Sequence, residues 1–64
     1  MKVAKDDLWK YADCEFVTHV GDTKIRVIYK THNSKHVTVC NYYHRANTWN
    51  IKLSDFMRSY ELVV

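Results

Sequence analysis

The chain has 64 residues, 47% of them apolar and 14% aromatic, with one glycine, no proline, two cysteines and a formal net charge of +3. That length excludes a second domain, and a chain this short buries only about 60% of its unfolded surface, leaving little room for a water-excluding catalytic cleft. The apolar content excludes a disordered segment, and two cysteines are too few for a disulfide framework.

Met1 to Asp7 has no apolar run before Asp6 and Asp7, and nothing approaches the roughly 18 apolar residues of a membrane span. The expectation is a cytoplasmic protein with reduced thiols and no membrane partner. Leu8-Trp9-Lys10-Tyr11 is apolar but too brief for a stable helix, and Ala12-Asp13 offers a turn. From Cys14 to Val20 the pattern alternates, with Cys14, Phe16, Thr18 and Val20 on one face and Glu15, Val17 and His19 on the other. Gly21-Asp22 suits a two-residue hairpin, because glycine accepts positive φ without steric cost.

Lys24 to Thr31 is the clearest strand: Ile25, Val27 and Tyr29 alternate with Arg26, Ile28 and Lys30, and β-branched residues dominate. His32-Asn33-Ser34 reads as the next turn, with Asn33 suited to the left-handed conformation. Lys35 to Tyr43 returns, with Val37 and Val39 inward and His36, Thr38, Cys40 and Tyr42 opposite. Arg45-Ala46-Asn47 is a loop, and Trp49, Ile51 and Leu53 mark a fourth strand. Ser54 is a candidate N-cap for a short helix carrying Phe56 and Tyr60 on one face, and Glu61 to Val64 forms a closing strand. The expected core is Trp9, Phe16, Ile25, Val27, Tyr29, Val37, Val39, Trp49, Ile51, Leu53, Phe56 and Tyr60.

Asp7-Leu8-Trp9 before the first strand, and the ending from Trp49 through Leu53, Phe56 and Tyr60 to Val63, give the chain a layout that resembles the SH3-like small barrels of short phage and prophage proteins of unknown function. The resemblance implies a phage origin and a mainly β fold in one domain, residues 1–64. That fold is a small SH3-like barrel or curled antiparallel sheet of about five strands, with one short helical turn near the C-terminus. It carries over no functional residue.

Charge is unevenly distributed. Residues 1–22 hold three lysines against five acids, whereas residues 23–54 hold Lys24, Arg26, Lys30, Lys35, Arg45 and Lys52 and no acid at all. Metal binding is disfavoured. Cys14 and His19 have opposite strand parity, and Cys40 and His44 would sit ~13 Å apart along a strand, whereas a zinc ion needs its ligands within about 2.3 Å. His32 and His36 flank a turn and read as solvated. The chain has no strained nucleophile, oxyanion loop or phosphate-cradling glycine motif, so the expectation is a non-enzymatic module without a cofactor.

Basic residues interleave with aromatics, a combination that neutralises phosphates and stacks bases. The expected surface comprises Arg26, Lys30, Lys35, Tyr42, Arg45 and Lys52, and the partner is nucleic acid. The alternative is a phage-type protein-interaction module that binds and modulates a host protein through an outer apolar patch of Val17, Ile28 and Tyr42. A homodimer fits the same features, since a thin core gains from pairing.

Overall fold

Alternating β-branched and aromatic residues fix the extended segments, and short polar turns join them. In the computed structural model, which describes residues 1–64, a 3₁₀ helix over Lys5–Tyr11 is followed by β1 (Glu15–Val20), β2 (Thr23–His32), β3 (His36–Asn41), β4 (Thr48–Lys52), α1 (Leu53–Ser59) and β5 (Glu61–Leu62). The five strands form one open antiparallel sheet in the order β4-β3-β2-β1-β5. The mainly β expectation is met in its antiparallel-sheet form: β4 and β5 remain the two edges, and α1 carries the chain from one to the other. No helix is long and apolar enough to cross a membrane.

The β1–β2 hairpin closes at Gly21-Asp22, where Val20 faces Thr23 across the two-residue loop and Gly21 takes φ +61°. Asp13 adopts φ 67°, a conformation aspartate tolerates better than most residues, and its N–H donates to the Tyr29 carbonyl at 2.7 Å. The two asparagine turns work differently from a left-handed residue. Asn33 Oδ1 accepts hydrogen bonds from the N–H groups of Lys35 and His36, both at 2.8 Å. Asn41 Oδ1 does the same for Tyr43 at 2.7 Å and His44 at 3.0 Å. Each side chain imitates a backbone acceptor and bends the chain.

Pairing of β2 with β3 shifts by one residue between Tyr29 and Thr31, leaving Lys30 as the extra residue of a bulge. Tyr29 and His32, three apart, would face opposite ways in a regular strand. The bulge returns His32 to the side of Tyr29, whose hydroxyl lies 2.7 Å from His32 Nδ1. Burial raises the pKa of the Tyr29 phenol above its ordinary value, so it stays protonated through neutral pH.

The core gathers Leu8, Phe16, Val27, Tyr29, Val37, Val39, Leu53, Phe56 and Leu62, with Ile25, Trp49, Ile51 and Tyr60 packed partly buried against it. Phe56 is its hub: its ring centroid lies 5.1 Å from Phe16, 6.3 Å from Tyr29 and 4.9 Å from Tyr60, the last pair stacked.

Two sequence expectations fail here for identifiable reasons. Leu8-Trp9-Lys10-Tyr11 is helical, and Trp9 is 65% exposed while Leu8 is fully buried. Three residues per 3₁₀ turn align Lys5, Leu8 and Tyr11 toward the sheet and rotate Trp9 away. Leu53 opens α1 rather than ending β4. Its N–H donates to the Lys35 carbonyl at 2.8 Å, Lys52 occupies the N-cap without a side-chain bond, and Ser54 therefore lies inside the helix.

Candidate nucleic-acid interface

Strand alternation sends Arg26, with Lys24 and Ile28, to the face of β2 opposite Val27 and Tyr29. Across β1, Arg26 meets Glu15. Its Nε donates to Glu15 Oε2, and its Nη2 donates to Oε1 at 3.0 Å, a two-pronged ion pair on a partly buried patch. The arginine hydrogen bond holds the Glu15 carboxyl below the usual carboxylate range, with Lys24 and Arg45 near enough to add to the effect. The same bond, helped by the Tyr43 hydroxyl, raises the pKa of Arg26 further. Lys30, displaced outward by the bulge, is paired with Asp13, whose hydrogen bond raises its pKa.

Residues 42 and 43 lie beyond the end of β3, so strand parity no longer applies to them. The expectation that their rings diverge is overturned. The two rings meet edge to face with centroids 5.1 Å apart, and both engage Arg26. The Arg26 guanidinium sits 4.0 Å from the Tyr42 ring centroid and donates through Nη1 to the Tyr43 hydroxyl at 3.0 Å. Arg45 lies 5.4 Å from the same Tyr42 ring, and its Nε donates to the Tyr42 carbonyl at 3.1 Å. Tyr42 is thus a platform for two arginines, and Tyr43, 66% exposed, presents the open ring.

The outer apolar patch expected from Val17, Ile28 and Tyr42 does not lie open. Ile28 and its cross-strand partner Cys40 are only 4% and 3% exposed, forming a small buried pair on the face away from the main core. Glu15 adjoins Ile28 on one side of this row and Thr48 adjoins Cys40 on the other. Cys14 packs with the main core, so the two free thiols face opposite sides of the sheet.

The six residues expected to share one surface divide into two groups. Arg26, Lys30, Tyr42 and Arg45 belong to the outer-face cluster. Lys35 and Lys52 sit instead where the β2–β3 turn meets the start of α1, beside Lys5 of the 3₁₀ helix and around a separate cavity. Lys35 is carried there by the Asn33 turn and Lys52 by its position at the α1 N-cap. The sequence reading omitted Lys24, Tyr43 and Lys5 from the site. The parity of Lys24 with Arg26 was a usable signal. The position of Lys5 follows only from a 3₁₀ period that a four-residue apolar run does not reveal.

Compared with protein families, with curated proteins and with solved structures, the chain matches none.

Proposed function

We propose that this chain is a non-enzymatic module that binds single-stranded nucleic acid on its outer sheet face. The observation that carries this reading is the Tyr43 ring, exposed and held in place by Tyr42 and Arg26, with Arg45 and Lys24 beside it in no ion pair. A held ring loses little conformational freedom when a base stacks on it, and base–aromatic stacking contributes about 1–3 kcal/mol per base. Arg45 and Lys24 supply phosphate contacts. Arg26, committed to Glu15 and Tyr43, works mainly by fixing the ring. The burial of Ile28 favours this reading over a protein-interaction module, because it removes the centre of the apolar patch that such a partner would cover. The likeness to small SH3-like phage proteins enters as an analogy of layout and assigns no residue a role.

The test is fluorescence anisotropy with a short labelled oligothymidylate across a salt series. Two phosphate contacts give a slope of log affinity against log salt of about −1.4, and Tyr43→Ala and Arg45→Ala should each weaken binding. Absence of binding at low salt, or binding indifferent to Tyr43→Ala, refutes the proposal. Capture of one stoichiometric protein instead, unaffected by nuclease, would put the host-protein alternative in its place.

A further inference from the structure

The second basic region has a different character. A cavity of about 460 Å³ opens where the β2–β3 turn, the β4–α1 junction and the 3₁₀ helix converge. Lys5, Lys35 and Lys52 line it with His36, and none of the three lysines belongs to any of the four ion pairs in the structure. No carboxylate lines the cavity. Its remaining lining is Ser34 and Ser54, which offer hydroxyl donors, and Leu53 and Met57, which offer apolar wall. The nearest acid of α1 in sequence, Asp55, is committed to Arg58.

Three ammonium groups from three separate chain segments do not converge around one cavity without mutual repulsion, which an anion between them would relieve. The kind of anion follows from the donors. Ammonium groups are compact point charges suited to a multiply charged, roughly spherical group, whereas a lone carboxylate is better matched by the planar fork of arginine. The volume excludes a bare ion as the whole ligand. At about 30 Å³ per water, the cavity has room for on the order of 15 waters, far more than an inorganic phosphate displaces. Leu53, Met57 and the methylene stems of the lysines give the surplus space an apolar surface on which an organic body would rest.

We infer that this cavity is a site for a phosphomonoester, with the phosphate held by Lys5, Lys35 and Lys52 and its organic portion lying on Leu53 and Met57. The site shares no residue with the Tyr43 cluster and does not depend on the outer-face reading. The phosphate can be carried by a free small molecule or by the 5′ end of a strand.

Backbone-amide NMR titration tests this. Adenosine 5′-monophosphate should shift the resonances of residues 34–36, 52–54 and 57, and adenosine without phosphate should not. Lys35→Ala with Lys52→Ala should weaken the nucleotide's binding about tenfold or more, while Arg45→Ala, outside the cavity, leaves it unchanged. The double variant's dispersed spectrum verifies that it remains folded. Comparing 5′-phosphorylated with 5′-hydroxyl oligothymidylate in the Tyr43→Ala background separates the sources. A preference for the phosphorylated strand assigns a strand end, and equal behaviour beside a nucleotide response assigns a free phosphomonoester. The inference is overturned if millimolar nucleotide moves none of these resonances. It is also overturned if adenosine binds as well as its phosphate, or if inorganic phosphate binds as tightly as the nucleotide.

Discussion

The outer face and the α1-end cavity both draw on the basic middle of the chain, yet they hold their cations in opposite ways. On the outer face, Arg26 and Lys30 are matched by Glu15 and Asp13, acids that come from the otherwise acidic N-terminal third. At the cavity, Lys5, Lys35 and Lys52 meet no carboxylate. Net charge therefore says little about where an anion will bind. A paired guanidinium is a structural part that can position a ring, whereas an unpaired ammonium still seeks a counter-charge. Local pairing distinguishes the two regions, and it is decided by strand register: β1 lies beside β2 and brings its acids there, while the far end of β3 and β4 has no acidic neighbour strand.

The largest perturbation would break both regions together. Phe56→Ala removes the ring on which α1, β1 and β2 converge and should cost about 3–5 kcal/mol, a loss visible in thermal or denaturant unfolding. Both binding responses should fall with the folded fraction. Tyr43→Ala should divide the regions: oligonucleotide affinity drops by roughly one base-stacking contribution, about 5- to 150-fold, with the cavity's nucleotide response intact.

Glu15→Gln sharpens the contrast by converting a paired cation into an unpaired one. Oligonucleotide affinity should rise and its salt dependence steepen, since Arg26 becomes available for an additional phosphate. The same variant has a pH signature. Because the folded-state pKa of Glu15 is lowered, its contribution to stability is present above its unfolded value near 4.5 and is lost as pH falls through the lower folded value. Wild-type unfolding curves should therefore show an acid-dependent loss below about pH 4.5 that is smaller in Glu15→Gln. The smallest effect belongs to Gly21→Ala. A Cβ there meets nothing within 4 Å, so only the positive φ is penalised, at about 1 kcal/mol. Neither binding region should respond.

The strand pattern was readable because period-two alternation is a local property. Phe16, Val27, Tyr29, Val37 and Val39 all lie in the core where alternation puts them. Alternation fails wherever the local geometry ceases to be a regular strand. Trp9 was misassigned because its segment turns every three residues, and Tyr42 and Tyr43 because β3 ends at Asn41. Ile28 and Cys40 follow the expected parity, yet their face is covered where they meet, which depends on neighbours from other strands. The site was legible as a list of cations but not as two groups, since the pairing of Arg26 with Glu15, eleven residues away, requires knowing the β1–β2 register.

The bulge in β2 has a consequence for how this sequence can vary. Lys30 has no opposite number on β3, so its loss would leave Tyr29, Thr31 and His32 each on the side it now occupies, and the two strands would simply become a continuous ladder. Losing a residue elsewhere in β2 would instead invert every position up to the nearest loop. The strand thus contains one spare link, and the hairpin can be shortened there at the expense of the Lys30–Asp13 contact alone.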